Sequence, residues 1–203
     1  MVKGKILIFL CVSSVSLMLR LSPAGATLTL PMNIEEITDG AESIVLGTVV
    51  SVTTEKAAFH KLPASVARIH VEERLKGPSG KDVVVRQLAI QTSSGNVMPI
   101  GTLPHFRLGE RVVVFLPAKS SIGFASPVGF GQGVFRMISK PGNLDKSLLR
   151  NEFGNRGLFD RLQDKKTAEF AAKISARITS KQPVRLAWSD LRQLVELHRG
   201  VSP

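Results

Sequence analysis

Four histidines, two adjacent carboxylate pairs and a spaced glycine triplet are the groups in this 203-residue chain whose types could carry chemistry. His60, His70, His105 and His198 show no i, i+2 or i, i+4 pairing and no H-E-x-x-H, so no local zinc ligand set is encoded, and solvent-facing positions are expected. Glu72 and Glu73 are neighbours in a strand-like stretch and should point to opposite faces, which prevents them from sharing one acid–base site. Glu35 and Glu36 read as first-turn charges of a helix. No G-x-S-x-G elbow exists, and Gly95 after Ser93 and Ser94 lacks its context. Gly129, Gly131 and Gly133 do not follow G-x-G-x-x-G and serve a tightly curved chain better than a phosphate. The expectation is therefore no catalytic, metal or cofactor-binding residue and no enzyme. An enzyme assembled from distant residues would need a deep pocket with convergent polar groups.

The N-terminus sets the compartment. Lys3 and Lys5 precede an apolar run from Ile6 to Leu19, followed by Arg20 and the small residues of Ser22 to Ala26. That order describes a secretory signal peptide over residues 1–26, cleaved after Ala26, because the run is shorter than the roughly 20 residues of a membrane span. A secreted or periplasmic protein is expected. The single cysteine, Cys11, lies inside the apolar run, so residues 27–203 must hold together without disulfides, and thiol chemistry is excluded. Downstream of Ala26, 24 basic residues stand against 16 acidic ones, a net charge of +8. The charges are dispersed, which fits solubility or a weak pull towards anionic envelope surfaces. Nucleic acid is discarded as a partner, since a stacking groove needs aromatics and the chain has no tyrosine and one tryptophan.

Short strands with turns between them dominate the middle of the chain. Asn33 caps a helix through Asp39, with Gly40 as its left-handed end. Ala41 to Val52 is a strand with Ile44, Leu46, Val50 and Val52 in one apolar row and Gly47 as a bend or bulge. Thr54 to Pro63 is a loop or a strand extension. Val66 to Leu75 alternates cleanly, Ala67, Ile69, Val71 and Leu75 against Arg68, His70, Glu72 and Arg74. The turn at Gly77 to Gly80 leads to a strand over Val83 to Ile90 and a long loop from Thr92 to His105. Val112 to Leu116 is continuously apolar and must be central. Ile122 to Ser126, Gly133 to Ser139 and Leu148 to Arg150 complete six or seven strands, a mainly β chain of small-barrel type. Beyond Asn151 the pattern becomes helical. Asp164 to Ile178 carries Phe170, Ala171, Ile174 and Ile178. After a polar linker at 180–185, Ser189 caps a last helix that buries Leu191, Leu194, Val195 and Leu197, with Trp188 as a staple to the barrel. The expected domains are the signal peptide at 1–26, a barrel over 27–151 and a helical appendage over 152–203.

The order of a short helix, Ala41-Glu42-Ser43-Ile44-Val45-Leu46-Gly47-Thr48-Val49-Val50-Ser51-Val52, then Arg68 to Gly77 (RIHVEERLKG) and Leu108 to Leu116 (LGERVVVFL) resembles the netrin-like (NTR) module. That module is an OB-type β-barrel shared with tissue inhibitors of metalloproteinases. The pattern also resembles exported bacterial proteins associated with matrixin-type metallopeptidases, and it covers about Thr27 to Arg150. In the inhibitors a mature N-terminus of C-x-C chelates the protease zinc through its amine and carbonyl. The matching place here is Thr27-Leu28-Thr29-Leu30-Pro31, with threonine in place of both cysteines.

These readings combine into an exported, non-enzymatic binding protein. Its partner would be another exported protein, with a metallopeptidase the one the resemblance implies, as inhibitor or adaptor. The expected contact residues are Thr27, Leu28 and Thr29 on the ridge and Met98, Ile100, Leu103 and His105 in the long loop. The alternative is a cell-envelope adaptor that binds anionic polymers or lipid headgroups through its basic surface. Ionic strength separates the two, because exposed charge pairs are screened and an apolar interface is not.

Overall fold

A computed structural model describes residues 30–59, 62–94, 97–138, 142–176 and 186–201. The signal peptide, its cleavage point, Thr27, Leu28, Thr29, His60, Ile178 and the 180–185 linker lie outside these residues. From Pro31 onwards the chain forms one compact unit. Helix α1 (Ile34–Asp39) opens it. Strands β1 (Ser43–Phe59), β2 (Leu62–Lys76), β3 (Asp82–Gln91), β4 (Val97–Pro99) and β5 (Arg111–Leu116) follow. A 3-10 turn (Phe130–Gly133) leads into β6 (Val134–Met137), and a second (Leu144–Lys146) precedes β7 (Leu148–Arg150). Helix α2 (Lys165–Ala176), β8 (Leu186–Ala187) and helix α3 (Trp188–His198) complete the chain. Among the described residues no helix is long and apolar enough to cross a membrane.

The strands form one antiparallel sheet of order β4-β3-β2-β1-β5-β6-β7-β8, curled into a half-barrel. The mainly β, barrel-like class expected from the sequence is what the chain adopts. Of the two readings of the stretch after Val52, the strand extension holds: residues 54–59 extend β1, which pairs with β2 in a long ribbon. One strand expectation changes. Ile122 to Ser126 is not a strand. A turn closes there, with Gly123 N–H donating to Ser120 O and Gly123 at φ +79°, so the segment keeps only the bridge between Ala125 and Arg86.

Asn33 caps α1 as expected and does so reciprocally. Its side chain accepts from Glu36 N–H at 2.9 Å while Glu36 Oε2 accepts from Asn33 N–H at 2.8 Å, a capping box. Gly40, however, ends the helix in the right-handed region (φ −67°), its N–H still bonded to helix carbonyls, so the chain turns into β1 without a left-handed residue.

Alternation holds along the start of β1, with both faces buried: Ile44 and Leu46 join one cluster, Val45 and Val49 the other. The β1–β2 pairing shifts register between Leu46 and Gly47 and between Val49 and Ser51, and Val50, at the second shift, and Val52 after it are left about half exposed. Gly47 sits at the first of these shifts, where a Cβ would run into the His70 carbonyl oxygen. The same irregularity skips Glu72 on β2. Val71 then packs with Val45, Ile69 and Val85, whereas Leu75 packs with Ile44 and Leu46 on the other side.

Strand β5 is buried on both faces. Val112 and Val114 join Val45, Ile69, Val85 and Phe106 in one cluster, while Val113 and Phe115 join a second with Phe135, Leu149 and the helices. In that second cluster Ile34 and Ile37 of α1, Ala171 and Ile174 of α2, and Trp188, Leu191, Leu194 and Val195 of α3 meet the sheet. The helices beyond residue 152 thus share a core with the strands, and β8 extends the sheet beside β7. Because Leu186 and Ala187 are used as β8, α3 begins directly at Trp188 with Ala187 at its N-cap. Ser189 lies inside the first turn and is not the cap, and Leu197 is only partly buried.

Candidate functional site

The expected contact residues of the long loop divide into two groups. Val97–Pro99 pairs with β3 as an edge strand, placing Met98 opposite Ile90. Ile100 donates its N–H to Leu88 O at 3.2 Å, which continues the same register. On the neighbouring strand Ala64 faces Leu88, and Leu62 lies two residues before it on the same side. Leu62 (38% exposed), Ile90 (46%), Met98 (43%) and Ile100 (36%) therefore share one sheet face at the β3–β4 edge. Four large apolar side chains left open side by side mark an interaction surface more strongly than the same residues scattered singly.

The second group sits apart. Backbone at Pro104 accepts a hydrogen bond from the buried Gln87 amide at 2.9 Å, and Phe106 is buried in the sheet core. These contacts fasten the end of the loop, leaving Leu103 half-buried and His105 exposed, with its carbonyl held by Arg136 Nη2 at 2.8 Å. Thr27, Leu28 and Thr29 lie outside the described residues. Sequence reasoning missed Ile90 and Leu62. The available signal was that Leu88 and Ile90 continue the parity of Arg86, placing apolar residues on what is otherwise the polar face of β3.

No protein-family profile and no curated protein matches the chain.

Several charged groups elsewhere are paired. Glu72 accepts from Thr48 Oγ1 at 2.6 Å and pairs with Arg111, whereas Glu73 pairs with Arg192 at 3.3 Å, so the adjacent carboxylates serve separate networks as expected. His70 is exposed beside Asp82, its Nδ1 3.1 Å from the carboxylate. His198 departs from its expected solvent-facing position: it is mostly buried, with Nε2 2.8 Å from Asp39. Among the described residues no group of three or more His, Cys, Asp or Glu is placed to hold a metal ion.

Surface cavities among the described residues include two with charged walls. One, of about 610 Å³, lies between α1 and the segment before α2. Its carboxylates already have internal partners. Glu35 accepts the N–H groups of Gln163 and Asp164 at 2.8 and 2.9 Å. Asp164 accepts Thr167 N–H at 2.7 Å and the Thr167 hydroxyl at 2.8 Å, bonds that hold its carboxyl below the ordinary aspartate range. These contacts are those of a helix cap that joins α1 to α2. The other cavity, of about 480 Å³, lies where the first residues of β1, the β2–β3 turn and the chain after β5 converge.

Proposed function

We propose that this chain is an exported, non-enzymatic binding protein, an NTR/OB-type barrel that recognises another exported protein through the apolar face formed by Leu62, Ile90, Met98 and Ile100. The exposure of these four neighbours on one sheet face carries the reading. A soluble domain gains nothing from leaving such a group in water, whereas a partner that covers it removes apolar area at roughly 25 cal/mol per Å². The resemblance to the NTR module names a matrixin-type metallopeptidase as the first partner to try, with the protein as inhibitor or adaptor. Cleavage after Ala26 would deliver the mature chain, with Thr27 at its start, to the periplasm or the exterior.

The test uses the secreted chain and a purified matrixin. Mass spectrometry of the exported protein should give Thr27 as the first residue. Addition of the protein should form a complex by sedimentation velocity or slow the matrixin's peptide hydrolysis. Met98→Asp and Ile90→Asp should reduce that effect, and raising the salt concentration should leave it largely intact. Neither complex nor inhibition with the matrixin would remove it as partner. Binding to anionic polymer or vesicles that disappears steeply with salt, and ignores both substitutions, would replace the reading by the envelope-adaptor one.

A further inference from the structure

The cavity of about 480 Å³ is distinct from the apolar face, and charges of both signs line it. Arg74 reaches it with its guanidinium already oriented, Nη1 donating to Ser43 Oγ at 2.9 Å and Nη2 to Gly80 O at 3.1 Å. Five N–H donors in a fixed fork leave three for a ligand. Asp82, also in the wall, is matched by Arg68 at 3.5 Å and His70 at 3.1 Å. Glu42 and Lys119 are exposed and line the same cavity, yet among the described residues neither forms an ion pair, with each other or with a third group. The backbone fixes Glu42, whose N–H donates to Leu116 O at 2.8 Å. Pro78, Val84 and Pro117 add apolar surface to the same lining.

An open cation, an open anion and a small apolar wall complement a molecule that carries all three features. A simple anion would meet Glu42, and a simple cation would meet Arg74 and Lys119. We propose that this cavity binds a zwitterion of the α-amino-acid type, either a free amino acid or a dipeptide. Its carboxylate lies on Lys119 and the free donors of Arg74, its ammonium on Glu42, and its apolar side chain against Pro78, Val84 and Pro117. The volume falls within the range of roughly 300–1,000 Å³ typical of small-molecule sites. This site does not depend on the partner proposed above.

The experiment is a titration of the isotope-labelled mature chain followed by backbone amide NMR. The probes are leucine, alanyl-leucine, N-acetyl-leucine and leucine amide. Leucine or alanyl-leucine should give saturable shifts centred on Ser43, Val84 and Lys119, and which of the two binds more tightly identifies the source of the zwitterion. N-acetyl-leucine and leucine amide should bind about tenfold more weakly, each having lost one charge-assisted contact. Glu42→Gln should bring leucine down to the level of N-acetyl-leucine, and Lys119→Ala should reduce the preference over leucine amide, Arg74 alone then holding the carboxylate. Both residues are exposed, so the amide spectrum of each variant should otherwise match that of the parent. Saturation by neither zwitterion up to solubility overturns the proposal. Shifts centred elsewhere, or affinities indifferent to the two blocked analogues or to both substitutions, overturn it equally.

Discussion

The indole Nε1–H of Trp188, in the first turn of α3, donates across 3.3 Å to the carboxylate of Glu73 on β2, and the same carboxylate holds Arg192 one turn further along α3. Two residues 115 positions apart thus join the last helix to the sheet through a half-buried polar contact. Burial works against the charge of Arg192, but its hydrogen bond to Glu73 and the charges of Glu73 and Asp145 outweigh this and raise its pKa.

Trp188 is fully buried, so Trp188→Ala should cost about 3–5 kcal/mol through the cavity it leaves. Glu73→Ala should cost about 1–3 kcal/mol by leaving the Trp188 indole without its acceptor and Arg192 with Asp145 alone. Because helices and sheet share one core, urea unfolding should show a single transition, displaced as a whole in both variants. An early, separate loss of helical signal in Trp188→Ala would show instead that α2 and α3 fold apart from the sheet.

A second expectation concerns the irregular pairing at Gly47. An added Cβ there meets the His70 carbonyl, a backbone atom that cannot rotate away. Gly47→Ala should therefore lower stability by about 1–3 kcal/mol, in the range of overpacked cores. Val50→Ala, three residues on and half exposed, should change it by no more than about 0.5 kcal/mol. Comparing the thermal midpoints of these two variants tests whether the bulge, and not the bulk of the strand's side chains, sets the curl.

Asp164 supplies a pH signature. Its carboxyl titrates below the ordinary aspartate range because Thr167 donates to the ionised form from its backbone and then from its hydroxyl. A lowered folded-state pKa means that the contribution is present above about pH 4 and fades as the pH falls through the folded value. Asp164→Asn should melt earlier than the parent at neutral pH, and the gap should close with acidification in that window. A gap that is independent of pH down to the acid transition would assign the effect to neutral capping alone.

The apolar edge should be cheap to alter and costly to function. Ile90→Asp and Met98→Asp place a charge on half-exposed positions and should shift stability by no more than about 0.5 kcal/mol. Either should weaken partner capture at least tenfold if the face is an interface core, where charge is depleted. Surface plasmon resonance against the matrixin, with circular dichroism as the fold control, measures both quantities.

Local pattern was sufficient for much of this molecule. Asn33 with Glu36 announces a capping box, Val112 to Leu116 announces a strand buried on both faces, and Ala171 with Ile174 announces a helix stripe, because capping and periodicity depend on residues a few positions apart. The residues of the apolar edge were half legible: Met98 and Ile100 stood out in a Gly/Pro-containing loop, but Leu62 and Ile90 join them only through strand pairing. Tertiary structure decided where alternation breaks, since a bulge such as that at Gly47 is defined by two strands and leaves no periodic mark in one. It also decided that the C-terminal helices complete the core, and that Glu42 and Lys119, 77 positions apart, face one cavity. Contacts between distant segments are set by how the whole sheet curls, and that curl is a property of paired backbones that a single strand's sequence does not carry.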